Sequence, residues 1–376
     1  MKTYKWFFLI LVAGAFAACQ NDSEEPLVGN WTWMGQIDGP GRGHAASFIL
    51  KQGDKEYGYV CCGSNGTKTR RKDFFRFDCE TWTQLPDFAG KARSQACGFA
   101  VDGKGYVGSG WDGNEDIMND FWEYDPSANT WTEIAPLPGK ARHSAIAFAL
   151  KVGGKEYGYV GTGNTEGNDR ETLKDFWKFD PRGSTEVITE EGAKTMKGKW
   201  ELINTHARFS KRYGATVFII NNKAYVCNGN GSGFPVTDFW QFDPDGELSG
   251  KSLWTELRKM SNANPDEDYD DEYGDLARYY GVSFTMPGGN DGLMKGYIAL
   301  GSNSKSSTWE YDPITDLWVQ RTRHINYLTP RSKEGATAFS FTGVNRAFVC
   351  MGLQGTTPTD DVREFFPTEE DNVYDD

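Results

Sequence analysis

The chain has 376 residues, a quarter of them charged, with 53 Asp and Glu against 40 Lys and Arg. A net charge of −13 repels phosphate backbones, which argues against nucleic acid as a partner. After the first twenty residues no apolar run is long enough to span a bilayer as a helix, and no Pro/Gly/Ser linker divides the chain, so one continuous architecture has to hold this length.

The chain opens with Lys2 and Lys5, the apolar run "WFFLILVAGAFAA" and Cys19. A positive end, a short apolar core and small residues before a cysteine have the order of a signal peptide, over residues 1–18. "FAAC" resembles a lipobox, which implies lipid attachment at Cys19 and an exported outer-membrane lipoprotein, periplasmic or displayed at the cell surface. The alternative is a secreted protein with an incidental cysteine. Residues 19–28 then form a flexible polar tether. Losing Lys2 and Lys5 takes the mature chain to −15, with 38 basic residues against 53 acidic.

From residue 29 to 367 three phrases recur. The first is an Arg, small residues and a Phe six positions on: Arg42 and Phe48, Arg93 and Phe99, Arg142 and Phe148, Arg212 and Phe218, Arg278 and Phe284. Arg331 and Phe339 stand two residues farther apart. The second is an aromatic-aliphatic run ending in glycine, such as "YVGSG" at 106 and "YVGTG" at 159. The third is Asp-Phe-Trp-x-Phe-Asp, as in Asp175–Asp180 and Asp238–Asp243, followed by Trp82, Trp131, Trp200, Trp254 or Trp318. β-Branched and aromatic runs separated by "DPSAN", "DPIT" and "GGND" read as four short strands per unit. Such sheets must ring up to bury both faces, with the small residues innermost, where sheets converge.

These phrases resemble Kelch repeats, from Trp31 to about Phe366. The resemblance implies an all-β, six-bladed Kelch-type β-propeller. One departure is visible: the family's paired glycines appear as "GSG", "GTG" or "CCG". Five units are complete, and the sixth ends before its Trp. The missing strand is expected around Trp31–Gln36, so that the N-terminus closes the ring and hides an open edge. Residues 368–376 remain as an acidic tail.

Cys61, Cys227 and Cys350 share one repeat register and read as small buried side chains, leaving Cys62, Cys79 and Cys97 with an open disulfide state. The insertion 181–199 reads as peripheral decoration in the outer hairpin of the third unit. In "NPDEDYDDEYGD", Asp266, Asp268 and Asp270 have the alternate spacing of a calcium loop. Asp271 and Ala277 stand where an EF-hand needs Gly and Glu, so a solvated acidic loop is preferred and calcium is the minor alternative.

An exported Kelch propeller brings two enzyme types to mind by resemblance. A galactose-oxidase-like copper site needs two His, two Tyr and a Cys. Only His44, His143, His206 and His324 are present, with no pairing of metal-site type. A sialic acid mutarotase needs an acid and a base near the channel mouth, and no distinctive carboxylate pair stands out. The preferred function is a monomeric binding module without a cofactor, tethered to the membrane by its lipid. Its partner is an acidic small molecule, glycan or protein. Arg42, Arg93, Arg142, Arg212, Arg278 and Arg331 are expected to gather at one mouth of the channel as its anion site, since guanidinium forks suit carboxylates.

Overall fold

The computed structural model describes residues 27–165, 171–189, 192–288, 291–302, 305–323 and 332–370. The expected leader, Cys19, most of the tether, His324, Arg331 and the last six residues lie outside them.

Six antiparallel four-stranded sheets follow one another around an axis. The first runs outward through Ala46–Gln52, Lys55–Cys61, Phe74–Phe77 and Trp82–Leu85. Blades two to five repeat that order, starting from Cys97, Ile146, Thr216 and Val282. Blade six takes Thr337–Phe341, Arg346–Gln354 and Thr357–Glu370 from the C-terminal end and its outermost strand, Val28–Gln36, from the N-terminus. The strand starts earlier than Trp31, and the last one reaches three residues into the expected acidic tail.

The repeated phrases have packing reasons. The Phe six residues after each Arg stacks on the aromatic of the next strand, as in Phe48 on Tyr59 and Phe218 on Tyr225, with centroids 5.1 and 5.3 Å apart. That ring also reaches the next blade. A Cβ on Gly158 would stand 2.1 Å from Phe99, so glycine there permits the blades to close. The outer Trp packs backward: Trp131 on Phe74, Trp200 on Phe121, Trp254 on Phe176 and Trp318 on Phe239. Trp31 fills the same role against Phe284 of blade five and donates its indole N–H to Thr308 Oγ1 at 2.9 Å.

In Asp-Phe-Trp-x-Phe-Asp, the final Asp caps the outer turn; Asp125 Oδ1 accepts from the Ser127 amide at 2.8 Å and Asp312 Oδ1 from the Ile314 amide at 2.8 Å. Phe121 and Phe176 are core, and the next aromatic, Tyr124 or Phe179, is core too. The Trp donates back to the first Asp, Trp122 to Asp120 at 2.8 Å and Trp177 to Asp175 at 2.7 Å.

Two expectations about insertions need correction. The 181–199 segment extends the hairpin Phe176–Thr189 and Gly192–Ile203 and clamps blade two. Met196 is buried in the same apolar cluster as Ile134, the Ala135 amide donates to Lys197 O at 2.9 Å, and Lys197 Nζ meets Glu123 at 2.6 Å. Alternating apolar residues, Val187 and Met196 among them, made this docking possible. The acidic loop is likewise anchored rather than simply solvated, because Tyr273 and Leu276 are buried and Tyr273 Oη accepts the Trp318 amide at 2.7 Å. Asp266 and Asp268 are exposed, whereas Asp270 turns inward to accept the Ala263 and Asn264 amides at 2.8 and 3.0 Å. Among the described residues no three His, Cys, Asp or Glu side chains stand together as a metal set. The six described cysteines are buried and unbonded, with the Cys61 and Cys62 sulfurs 3.0 Å apart.

Candidate functional site

The innermost strands begin at one mouth of the axial channel, just after the repeated arginines. The five described arginines are fully buried there and spend their donors within their own blade. Arg42 grips Asp73 with both terminal nitrogens at 2.7 and 2.6 Å and donates to Cys62 O at 3.1 Å. Arg93 does the same with Asp120 and Ser109 O, and Arg142 with Asp175 and Thr162 O. Arg212 pairs with Asp238 and donates to Asn228 O. Burial pushes the Asp175 carboxyl up, yet Arg142 outweighs it and holds the group below its usual range.

Blade five rewires this hub. Ser307 replaces the Asp, and Arg278 donates to Leu300 O, Ser307 O and Ser307 Oγ at 3.1, 2.9 and 3.0 Å. The carboxylate comes instead from Asp275, which engages Lys305 and Ser307. Burial, only partly offset by Asp275, lowers Arg278 to about 10. In blade six the six-residue spacing to Phe339 is kept by Lys333, which pairs with Asp361. Lys333, not Arg331, is therefore the sixth member of the set.

Each arginine-capped carbonyl belongs to a residue in the left-handed region: Cys62, Ser109, Thr162, Asn228 and Leu300 have φ of 67, 56, 62, 61 and 57°. These are the first members of the degraded glycine doublets. The glycine that follows donates its amide to the next blade, Gly63 to Arg93 O at 2.9 Å and so on around to Gly352 to Arg42 O at 2.8 Å. The arginines thus brace a closed hydrogen-bonded ring between blades. The expected cluster of ligand-facing guanidinium groups does not form among the described residues, because a buried cation is held only when its own blade supplies the carboxylate.

A second closed ring lies two residues further on. The amides of His44, Gln95, Ser144, Gly214, Tyr280 and Gly335 each donate to the preceding member's carbonyl, at 2.7 to 2.9 Å, all the way round. All six have φ between 54 and 61°. Only Gly adopts that conformation cheaply, so a bulky Tyr280 there is unusual. These residues line a pocket of about 120 Å³ at the mouth. Below it the channel wall is built mainly of small and apolar side chains, including Ala45, Ala96, Ala145, Ala215 and Ala336.

At the mouth, Tyr280 spreads over Gly214, where a Cβ would come within 2.7 Å of its ring. Its hydroxyl lies 3.1 Å from Ser144 Oγ, and Gln95 Nε2 donates to it at 3.4 Å. His44 meets its ring edge-on at 4.7 Å, and His44 Nε2 is 3.9 Å from Glu334 Oε1. Burial raises the Tyr280 phenol above its usual value, and its Ser144 hydrogen bond offsets only part of that. Gln95 Oε1 is buried without a hydrogen-bond partner. His143 Nδ1 is 3.0 Å from Ser144 Oγ, and the His143 ring lies 6.3 Å from Trp111. Of the other histidines, His206 lies against Trp240, away from this set.

On the blade-one rim, Arg70 and Arg71 occupy loop positions that hold Ile117 and Met118 in blade two, Thr172 and Leu173 in blade three, and Pro235 and Val236 in blade four. The match is by backbone: the Arg71, Met118, Leu173 and Val236 amides donate to Gly63, Gly110, Gly163 and Gly229. Arg70 and Arg71 each bury Nε without a hydrogen-bond partner, and burial lowers both side chains from the usual arginine value. Tyr280, Glu334, Arg70 and Arg71 were all missed in the sequence reading. The available signal was their departure from the other repeats at matched positions.

A Kelch motif family model matches residues 92–138, which is blade two. Among solved structures, one titled "Structure of YjhT" is similar over 88% of this chain and 95% of its own, with a TM-score of 0.61 and 16% identity. That likeness concerns the fold. No curated protein matches the sequence.

Proposed function

With the chain a six-bladed β-propeller of the Kelch type, we propose that it is a binding protein for an acidic sugar or glycan, seated at the channel mouth. The observation that carries this reading is the mouth ring. In a chain that repeats its structural residues, this ring sets His44, Gln95, Ser144 and Tyr280 beside two glycines, all at left-handed positions. Left-handed residues also serve the arginine ring, so the pointer to function is strain combined with a side chain that changes from blade to blade at this convergent spot. Aromatic faces beside hydroxyl, amide and imidazole groups suit the mixed apolar and polar surface of a sugar. The guanidinium groups of Arg70 and Arg71, each with an Nε that has no hydrogen-bond partner, supply the preference for a carboxylate. We further propose export and membrane attachment through Cys19, on the charge-apolar-small-Cys order of residues 1–19.

A second reading is supported by the His44–Glu334 pair beside Tyr280. It puts an acid and a base at the axis, as a sugar-transforming enzyme of mutarotase type would need. Titration calorimetry with hexuronic acids and neutral hexoses, on wild type and Tyr280→Ala, tests the binding reading. Acid-selective binding lost in the variant is expected, and no binding by wild type overturns it. Turnover abolished by Glu334→Gln with binding retained would move the assignment to the enzyme.

A further inference from the structure

The mouth is joined by unbroken side-chain contacts to a basic rim on blade one. Tyr280 Oη is 3.1 Å from Ser144 Oγ, which is 3.0 Å from His143 Nδ1. The His143 ring faces Trp111 at 6.3 Å, and the Arg70 guanidinium lies over Trp111 at 4.9 Å. Arg70 and Arg71 belong to the run "KTRRK", residues 68–72, four cations in five positions within a chain of net charge −13. The acidic groups that act on them, Asp112 on Arg70 and Asp73 on Arg71, are already engaged, Asp73 by Arg42 at 2.6 Å. Asp112 gives one oxygen to Lys91 at 2.7 Å and the other to the Asn114 and Asp116 amides at 2.8 and 3.1 Å. Lys72 is held only loosely, 3.8 Å from Asp87, and Lys68 is exposed.

From this arrangement we infer that the ligand is a linear polyanionic glycan and not a single sugar: one unit sits at the axis, and the following units run outward across Trp111 onto Arg70, Arg71 and Lys68. The inference rests on the axial reading above and adds the polymer class and the direction of the chain. Three features favour a sugar polymer. The partly exposed Trp111 ring stands between the mouth and the cations, Arg70 lies over that ring at 4.9 Å with Lys68 exposed two residues before it, and the pocket at the mouth is about 120 Å³. A unit held at the axis raises the effective concentration of its neighbours at the rim, so each added acidic unit increases affinity while the rim can hold it.

The test compares galacturonic acid with its linear di-, tri- and tetramers, using calorimetry at low salt. The variant is Arg70→Ile with Arg71→Met, which installs blade two's own residues and so preserves the loop. Wild-type affinity is expected to rise about tenfold or more from monomer to tetramer, and to fall as salt is raised. The double variant should lose the rise, binding every oligomer no more tightly than it binds the monomer. Equal affinity for monomer and tetramer in wild type, with monomer binding still abolished by Tyr280→Ala, overturns the extension and leaves the axial site standing. A length effect that survives in the double variant overturns the assigned rim. No binding of any oligomer overturns the inference together with the reading beneath it. Lys68→Ala, at an exposed position, gives an independent check: it should lower tetramer affinity without touching stability.

Discussion

Two rings of residues encircle the axis two positions apart in every blade, and they behave oppositely. The arginine ring is nearly invariant, fully buried, and answered by a carboxylate from its own blade, Asp73, Asp120, Asp175 or Asp238. The mouth ring keeps one backbone conformation and changes its side chain at almost every step, from His44 to Gln95, Ser144, Gly214, Tyr280 and Gly335. Repetition within a repeat protein marks what every unit needs in order to stack. Chemistry for one ligand needs different groups at one place, so it appears where the repeats disagree.

The sharpest break of this comparison is Arg142→Ala. It leaves Asp175, the Trp177 indole and Thr162 O around an empty site, and removing one partner of a buried pair costs about 3–5 kcal/mol. Urea unfolding should show that loss, while sugar affinity of the remaining folded protein stays at the wild-type value. A loss under about 1 kcal/mol, the range of an exposed pair, would remove the bracing role.

Trp31→Ala tests closure on a similar scale. Trp31 packs on Phe284 and Phe365 and ties its indole to Thr308 across two blades. Large-to-small changes at such sites cost about 3–5 kcal/mol. Deleting residues 27–38 should go further and expose the edge of Thr357–Glu370, with aggregation visible by light scattering. A truncated protein that stays monomeric with an unchanged melting temperature would contradict the closure.

Acid should weaken the arginine ring through its buried carboxylates. Burial raises Asp175 and Asp361, but Arg142 and Lys333 outweigh it, so both folded values lie below the usual 3.8. Groups lowered by folding contribute stability above their unfolded value and lose it as pH falls through the folded one. Melting temperature should therefore decline as pH drops below about 4. Arg142→Met combined with Asp175→Leu should shrink that decline, and an unchanged pH profile would assign it to other carboxylates.

For the mouth ring the expected pattern reverses. Tyr280→Gly relieves left-handed strain and loses contacts with His44 and Ser144, so stability should move by about 1 kcal/mol or less. Sugar affinity should fall about tenfold or more, which is 1.4 kcal/mol or more. Equal losses in both measurements would make Tyr280 another structural member.

The blade count and the N-terminal clasp were legible because they follow from spacing and residue type, whereas the choice of Trp31 over Trp33 as the packed indole needed the fold. The arginines were legible as a set and misread as a site. A run of letters shows that Arg42 recurs, whereas its burial and its grip on Asp73 depend on a contact 31 residues away. Lys333 was readable, since it keeps six residues to Phe339 where Arg331 does not. Tyr280 was readable too, by aligning the second residue after each cation. Arg70 and Arg71 needed the backbone pairing with Gly63 to fix their register, and the docking of Met196 on blade two needed the fold.

The smallest expected effect lies within the arginine ring, at the blade that departs from it. Arg278 faces carbonyls and Ser307 instead of a carboxylate held for it alone, and Asp275 keeps Lys305 when Arg278 is gone. Arg278→Met should therefore cost less than Arg142→Met, by about 2 kcal/mol, because no carboxylate is stranded. The pH dependence carries the opposite sign from the aspartates. Burial lowers Arg278 to about 10 from 12.5, so between those values the unfolded chain binds the additional proton. Stability from this group then rises with pH across that window. Other groups titrate there as well, so the informative quantity is the difference between wild type and Arg278→Met, followed from pH 8 to about 10.5. A wild type that gains on the variant as pH rises would show Arg278 to be a cation held against its burial. A constant difference would place it with the fully paired arginines of the other blades.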